Sequence, residues 1–295
     1  MNDMLSQKID ELPLLPIIIS KLMVLSKDDD DYFEQVTELA ESDPSFALRV
    51  IQFGNSASNP PIKPIINLKD AIVRIGIEYI SSLMTSIAVT RVFVPVNQSE
   101  KRLWQHSIEV ATIARKFAKA NPGLNVAPDV AYLCGLLHDI GLFLMFKDRQ
   151  EEFNHIDDFE WTTPLEHVDA ESKVFKSNHA ELGRVICKQW KIPDPVPTIV
   201  AFHHVYELPT AIMKHENVLN AIRLVQLADL CSELSARNGK ACNIKELSTC
   251  LHNIADLRAW CVEKIKNKKL LRDFESVLID AYSEAQESYK QLGIS

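Results

Sequence analysis

Residues 131–146 read AYLCGLLHDIGLFLMF, an apolar run interrupted by the adjacent polar residues His138 and Asp139. The run predicts a buried helix, in which an unpaired imidazole or carboxylate costs several kcal/mol of desolvation free energy. Imidazole and carboxylate both bind first-row divalent metals, so a bound metal would remove that cost. The alternative is a hydrogen bond between the two side chains at the end of a buried helix. The dipeptide alone leaves both interpretations open.

The composition of the whole chain predicts an all-α fold. The 295 residues are 46% hydrophobic, which is enough for a sizeable core, and only 8 of them are glycine. The alternation of valine and threonine that is typical of strands is scarce. Helix-start signals are clear: Asp43 precedes Pro44, and Asn178 is followed three residues later by Glu181.

The pattern of apolar segments and linkers predicts three parts. Residues 1–98 form an N-terminal helical half, 99–236 contain the His-Asp dipeptide, and 237–295 are a C-terminal helical extension. In the middle part we expect one helix over 129–147. The tail from 244 to 292 is expected to form two helices.

Charge and cysteine usage exclude several classes of protein. The net charge is −8 at pH 7 without a basic patch, which argues against a nucleic-acid partner. The N-terminus lacks the pattern of a secretory signal, and no segment reaches the roughly 18 uninterrupted apolar residues of a membrane span. The 6 cysteines form no Cys-x-x-Cys pair and are typical of reduced thiols. We therefore expect a cytoplasmic protein that binds neither nucleic acid nor a membrane.

Five further ligand-type residues lie in predicted helices of the middle part: His106, His179, His203, His204 and Asp229. Each histidine alone is more often packed or hydrogen-bonded than bound to a metal. Together with the dipeptide they supply seven ligands, a number that suits two metals bridged by one carboxylate. The remaining histidines have polar neighbours and are expected at the surface: His155, His167, His215 and His252.

The order H…HD…H…HH…D resembles the HD superfamily of metal-dependent phosphohydrolases. Over about residues 10–210 the chain resembles, more specifically, the HDOD domain, the HD-related output domain of bacterial signalling proteins. The segments that carry this resemblance are SDPSFALRVIQFGNSAS, LKDAIVRIGIEYI, LWQHSIEVA, CGLLHDIGLFLMF, HAELGRVICKQWKIPDPV and AFHH. The resemblance implies an all-α HD/HDOD-like helical domain with a regulatory role in the cytoplasm. Because no sensor, receiver or cyclase segment is attached, we expect a signalling protein as partner in trans.

The resemblance also implies a ligand set for two divalent metal ions (Fe, Mn, Ni or Zn). It assigns one ion to His106, His138, Asp139 and Asp229. It assigns the other to His179, His203 and His204, with Asp139 as the shared bridge. Hydrolysis in such a site is attack on phosphorus by a water that the two metals activate, so Asp139 would be the catalytic residue.

Two departures from a related active class matter. Cyclic-di-GMP phosphodiesterases of the HD-GYP type have a lysine where this chain has Leu142, and a Gly-Tyr-Pro segment where it has HHVYELPTA. Cleavage of cyclic-di-GMP is therefore not expected, and a cation that would hold substrate phosphate is missing. Arg102, one turn before His106, is the single candidate replacement.

Three interpretations remain open on the sequence. The first is a regulatory HDOD module whose metal cluster is structural or senses a ligand. The second is an active phosphohydrolase whose ligand is a nucleotide or another phosphoester. The third is a structural module with internally hydrogen-bonded histidines. The complete ligand set favours the first two, and the missing lysine with the acidic surface favours the first over the second.

Overall fold

The architecture is all-α, as the sequence predicts. A computed structural model describes residues 17–25, 29–55, 63–148, 164–252, 254–264 and 268–294. Within these ranges every regular element is a helix and none is a strand. The described residues divide into two compact units, one within Pro13–Val94 together with the end of the chain from Ser288, the other within Pro95–Glu287.

The smaller unit contains five whole helices among its described residues, α1 (Ile17–Leu22), α2 (Tyr32–Glu41), α3 (Pro44–Gly54), α4 (Leu68–Ile75) and α5 (Ile77–Thr90). The predicted helix start at Pro44 is confirmed. Gly76 separates α4 from α5 with a φ of 96°, a value that glycine adopts without strain. The core of this unit includes Ile19, Val36, Phe46, Ile72, Ile80 and Met84.

The larger unit begins with α6 (Gln98–Ala120), α7 (Pro128–Leu137), α8 (Ile140–Asp148), α9 (Pro164–Phe175), α10 (His179–Gln189) and α11 (Val196–Phe202). It continues with α12 (Thr210–Met213), α13 (Glu216–Asn238), α14 (Ile244–Leu251), α15 (Ala255–Lys264) and α16 (Lys268–Leu292), whose last residues from Ser288 belong to the smaller unit. Asn178 caps α10 by accepting a hydrogen bond from the Glu181 N–H, which confirms that helix start. Helices α6, α7, α8, α10, α11 and α13 pack around one another.

The prediction of two helices in the tail was wrong. The described tail contains three, because one helix ends at Leu251 and another begins at Ala255, ahead of the long last helix. Both α14 and α15 pack against α13 and against each other. This fold buries Leu247 with Leu251 and Leu257 with Trp260, which one straight helix could not bury together.

The helical stretch predicted over 129–147 is present, but it is interrupted at the dipeptide. Helix α7 ends at Leu137, α8 begins at Ile140, and His138 and Asp139 form the turn between them. His203 and His204 likewise follow the end of α11 in a turn instead of lying within a helix. The last carbonyl groups of a helix lack partners within it, and a polar side chain at that point supplies one.

Helices α8 and α10 approach closely at Gly141. A Cβ atom there would lie 2.1 Å from the His179 carbonyl oxygen, so any larger residue would push the two helices apart. Gly135 on α7 has the same relation to α6, with its would-be Cβ 2.6 Å from the Ala111 Cα. These two glycines bring the dipeptide within reach of histidines on neighbouring helices.

One stretch, Pro128–Lys147, is long and apolar enough to cross a membrane by length and composition, but most of it is buried inside the fold. The helix pair over Leu68–Ile75 and Tyr79–Thr90 passes the same test only when taken together, and it bends by 109°. The apolar run around the dipeptide is accounted for by core packing, as in the Trp104 and Phe143 rings at 4.3 Å.

Candidate metal centre

All seven predicted ligand residues meet in one cluster of the larger unit. They come from α6, the turn between α7 and α8, the first residue of α10, the turn after α11, and the middle of α13. His106 keeps 23% of its side chain exposed and so marks the accessible side. The other six are buried: His138, Asp139, His179, His203, His204 and Asp229.

Asp139 lies between two pairs of histidines. Its Oδ2 is 3.2 Å from Nε2 of His138 and 3.6 Å from Nε2 of His106. Its Oδ1 is 3.3 Å from Nε2 of His179 and 3.4 Å from Nε2 of His203. One carboxylate therefore faces both pairs, each with a different oxygen.

Asp229 approaches the same cluster from α13. Its Oδ1 lies 3.2 Å from Nε2 of His106 and 3.9 Å from Nε2 of His138, and its Oδ2 lies 4.0 Å from Nδ1 of His204. The donor atoms form two groups of metal-binding size that share Asp139, each with its members within 4.8 Å of one another. One group is His106 with His138; the other is His179, His203 and His204.

Backbone carbonyls fix the orientation of two of these rings. Nδ1 of His138 donates to the Gly135 carbonyl oxygen at 2.7 Å, and Nδ1 of His203 donates to that of Val200 at 2.6 Å. A ring whose Nδ1 carries the proton presents the lone pair of Nε2 on its opposite side. In both residues that lone pair points into the cluster.

Two further rings, those of His106 and His179, are fixed by residues that no sequence pattern had indicated. Nδ1 of His106 lies 3.1 Å from the Ser232 hydroxyl, which itself donates to Glu109 at 2.8 Å. Nδ1 of His179 donates to the buried carboxylate of Glu171 at 2.7 Å. No local sequence pattern indicates Glu171, Ser232 or Glu109. Ser232 contacts residues of another helix, and Glu171 contacts His179, which lies eight residues further along the chain.

The resulting arrangement needs a cation. Nε2 of His106 lies 3.2 Å from Nε2 of His138, and Nε2 of His179 lies 3.2 Å from Nε2 of His203. Two facing lone pairs repel each other unless a proton or a metal ion lies between them. Among the described residues, Asp139 Oδ1 and His204 Nδ1 are also buried without a hydrogen-bond partner. These side chains therefore fit metal ions, the usual partners of buried imidazole and carboxylate groups.

The pKa values show where protons lie in the metal-free cluster. Burial lowers the pKa of His106, but the hydrogen bond to Asp229 and the negative charges of Asp229 and Asp139 together outweigh burial and raise the pKa to about 9. Burial likewise lowers the pKa of His179, but the charge of Glu171, its hydrogen bond to the ring and the charge of Asp139 together outweigh burial and raise the pKa to about 9. Burial lowers the pKa of His203 and holds that of His204 well below its usual value. One protonated histidine thus lies in each of the two groups.

A third group of ligand-type residues does not form a further metal site. His167 was expected at the surface, but it is half-buried, with Nδ1 3.4 Å from Glu171. The Glu171 carboxylate already accepts both the Nδ1–H and the backbone N–H of His179, so it orients that ring. His215 and His252 are exposed as predicted, and His155 lies outside the described residues.

Leu142 and Arg102 differ sharply in their surroundings. Leu142 is 7% exposed and packs in the core, whereas Arg102 on α6 is exposed. Among the described residues, the ion pairs of Asp139 and Asp229 are all with histidines. Neither aspartate is therefore paired with a lysine or an arginine in this part of the chain.

Comparisons with known proteins agree with this fold. The family model of the HDOD domain matches residues 12–206. An HDOD domain protein of unknown function from Geobacter sulfurreducens is 22% identical, with a TM-score of 0.71 over 97% of each chain. A protein from Shewanella amazonensis named "Putative phosphohydrolase" is 23% identical, with a TM-score of 0.69 over 98% of this chain and 97% of the other.

A curated relative is longer than this chain. An uncharacterized protein from Treponema pallidum (strain Nichols) is 22% identical over 223 residues, which are 76% of this chain and 43% of that protein. The chain thus spans less than half the length of the curated relative that it matches. At these identities the likeness concerns the fold, and the chemistry of the centre has to be argued from its own residues.

Proposed function

Because this chain belongs to the HDOD domain family, we propose that it is a cytoplasmic regulatory protein whose buried centre binds two divalent metal ions. The observation that carries this proposal is the position of Asp139 between two pairs of inward-facing Nε2 atoms. A structural hydrogen-bond network would pair each Nε2 with a donor. In this cluster Nε2 atoms instead face each other in pairs that need a proton or a metal ion between the two nitrogens, and two further polar atoms lack a hydrogen-bond partner.

The proposed ligand sets follow the two groups of donor atoms. The first ion would be held by His106, His138, Asp139 and Asp229, and the second by Asp139, His179, His203 and His204. Fe, Mn, Ni and Zn all suit imidazole and carboxylate ligands. Bound ions of this kind lower the pKa of water and neutralise charge on a phosphate ligand.

The chain's own residues prepare the centre before any ligand arrives. Glu171 and Ser232 hold the rings of His179 and His106, and the ends of α7 and α11 hold those of His138 and His203. Buried His138 and His203 close the interior side to water, so a ligand reaches the centre from the side of half-exposed His106. A ligand bound there would be sensed through changes in α6 and α13, which carry His106 and Asp229.

The second candidate function is hydrolysis of a phosphoester. Its support is the complete ligand set for two ions and the name of the Shewanella neighbour. The ion pairs of the two aspartates are all with histidines in the described residues, and buried Leu142 supplies no cation for a substrate phosphate. The same centre therefore supports a regulatory, ligand-sensing role better than efficient turnover, with a signalling protein as partner in trans.

Elemental analysis of the purified protein tests the metal centre. We expect about two equivalents of a first-row metal per chain after loading and desalting. Asp139→Asn should lose both ions, because it alters the ligand that both share, whereas His252→Gln at an exposed position should keep both. A wild-type protein that takes up no metal would refute the proposal.

Turnover assays separate the two candidate functions. The loaded protein is incubated with bis-p-nitrophenyl phosphate, a panel of nucleotides and cyclic-di-GMP, with Asp139→Asn as control. Two bound ions without turnover support the regulatory function. Turnover that disappears in Asp139→Asn establishes the enzyme instead.

A further inference from the structure

The turn that carries His203 and His204 is held by a side chain of another helix. Helix α11 ends at Phe202, so its last carbonyl groups lack partners within the helix. The Gln226 Nε2 atom on α13 donates to the carbonyl oxygen of Val205 at 3.0 Å and lies 3.4 Å from that of Phe202. These two carbonyls stand on either side of the two histidines.

Arg223, one turn earlier on α13, extends this contact. Its Nη2 donates to the Tyr206 carbonyl oxygen at 2.8 Å, and its Nη1 donates to Gln226 Oε1 at 2.9 Å. Its Nη2 also lies 3.6 Å from Oδ2 of Asp256 on α15. Arg223 is 5% and Gln226 1% exposed, and removal of either donor takes a side-chain partner from the half-buried carbonyl groups of Val205 or Tyr206.

The helix that carries these two side chains also carries a proposed ligand. Gln226 and Asp229 are three residues apart on α13. One helix therefore supplies Asp229 and also fixes the turn that supplies His203 and His204. The family match ends at residue 206, so Arg223, Gln226 and Asp256 all lie in the part of the chain beyond it.

We propose that Gln226 and Arg223 are positioning residues, which hold the His203–His204 turn at the distance from Asp139 that metal binding requires. This inference rests on the proposed metal centre. Ligand atoms must stay within about 0.5 Å of productive geometry, and partners that orient ligands typically contribute roughly 10–100-fold to metal affinity. The position of a residue in a turn depends on such partners more than that of a residue within a helix, because the helix's own backbone hydrogen bonds hold the latter in place.

A matched pair of substitutions on α13 tests the proposal. Gln226→Glu keeps an acceptor for Arg223 but loses the amide donor to the turn. Asn220→Asp makes the same chemical change at an equally buried site. Asn220 donates to the Leu124 carbonyl oxygen and accepts from Trp260 Nε1, away from the turn.

The first measurement is Zn²⁺ affinity, by competition with a chromogenic chelator. We expect Gln226→Glu to lower the affinity for one of the two ions at least about 10-fold. Asn220→Asp should change it less than twofold, even if its melting temperature falls equally. Equal affinities in Gln226→Glu and wild type would overturn the positioning role and leave the metal centre standing.

The second measurement is hydrogen exchange of metal-free protein in the peptide spanning residues 203–206. Gln226→Glu should speed exchange there, and Asn220→Asp should not. If the wild type binds no metal, the proposed function fails, and this measurement alone decides whether Gln226 holds the turn. If Gln226→Glu does not fold, Gln226→Met, neutral and of similar length, takes its place in both measurements.

Discussion

The carboxylate of Glu171 accepts two hydrogen bonds from His179, one from the backbone N–H at 2.8 Å and one from Nδ1–H at 2.7 Å. The first fixes where α10 begins, and the second fixes the ring so that Nε2 faces Asp139 at 3.3 Å. Glu171 is fully buried, so its charge acts on the ring at short range with little solvent screening. A residue outside the proposed ligand set thus fixes the orientation of His179, a proposed ligand, and favours its protonated form.

Replacement of Glu171 should therefore weaken metal binding without touching a ligand. Gln has one acceptor oxygen in place of two and no charge, so Glu171→Gln should lower metal affinity about 10–100-fold. Chelator competition measures this. Asp169→Asn, the same acid-to-amide change at an exposed position on the same helix, is the control. Equal affinities in the two variants would show that Glu171 does not orient His179 for metal.

The contact between α8 and α10 predicts a steric effect. Gly141→Ala places a Cβ atom against the His179 backbone, and we expect a loss of at least about 3 kcal/mol of unfolding free energy, beyond the usual range for overpacking. Urea unfolding measures it. Gly123→Ala adds a methyl group where nothing lies within 4 Å and should change stability by less than about 0.5 kcal/mol. Similar stability in both variants would contradict the close approach.

Stability of the metal-free protein should fall as pH rises through the alkaline range. The pKa of His106 and of His179 is raised from 6.5 to about 9. A raised pKa means that the folded state binds the extra proton, so this stabilisation is complete below pH 6.5 and is lost by pH 9. Each histidine contributes at most about 1.4 kcal/mol per pH unit. Urea unfolding at pH 6.5, 8 and 9 measures the decrease, and a flat profile would contradict it.

The lowered pKa values of His203 and His204 predict that the stability of the metal-free protein also falls at acid pH. These rings are buried neutral, so the unfolded state binds more protons, and stability should fall as pH drops below 6.5. The metal-free protein should therefore be most stable near pH 6.5. Replacement of exposed His215 by Gln should leave this optimum in place.

Metal loading should release protons. At pH 7.5 metal-free His106 and His179 each carry a proton that a bound ion displaces, so about two protons should leave per chain. Isothermal titration in buffers of different ionisation enthalpy counts them. His106→Gln should release about one proton fewer. Binding without proton release would mean that the ions bind outside these two groups.

The sequence by itself determined the fold class, and it predicted which seven side chains lie together in one cluster. The fold class follows from local properties: few glycines, helix-start signals at Pro44 and Asn178, and apolar periodicity. These properties favour helices through backbone propensity and burial, whatever the tertiary arrangement of the helices. The seven ligand-type residues stood out because a polar residue in an apolar helix is costly. All seven do meet in space, which the sequence order suggested through its resemblance to a known family.

The tertiary structure alone decided how those residues face one another. Helices α7 and α11 end just before His138 and His203, and in each case the imidazole N–H donates to a carbonyl oxygen in the last turn of the helix. The side chain competes there with the backbone N–H groups that would continue the helix, and hydrophobic periodicity does not reveal this competition. The sequence gives no sign that Glu171, Ser232 and Gln226 have a role at the centre, because their hydrogen-bond partners lie on other helices or in other turns. Packing of α8 against α10 at Gly141 brings these elements together. The distances and orientations between groups that are far apart in the chain depend on this helix packing, and they cannot be predicted from the local sequence.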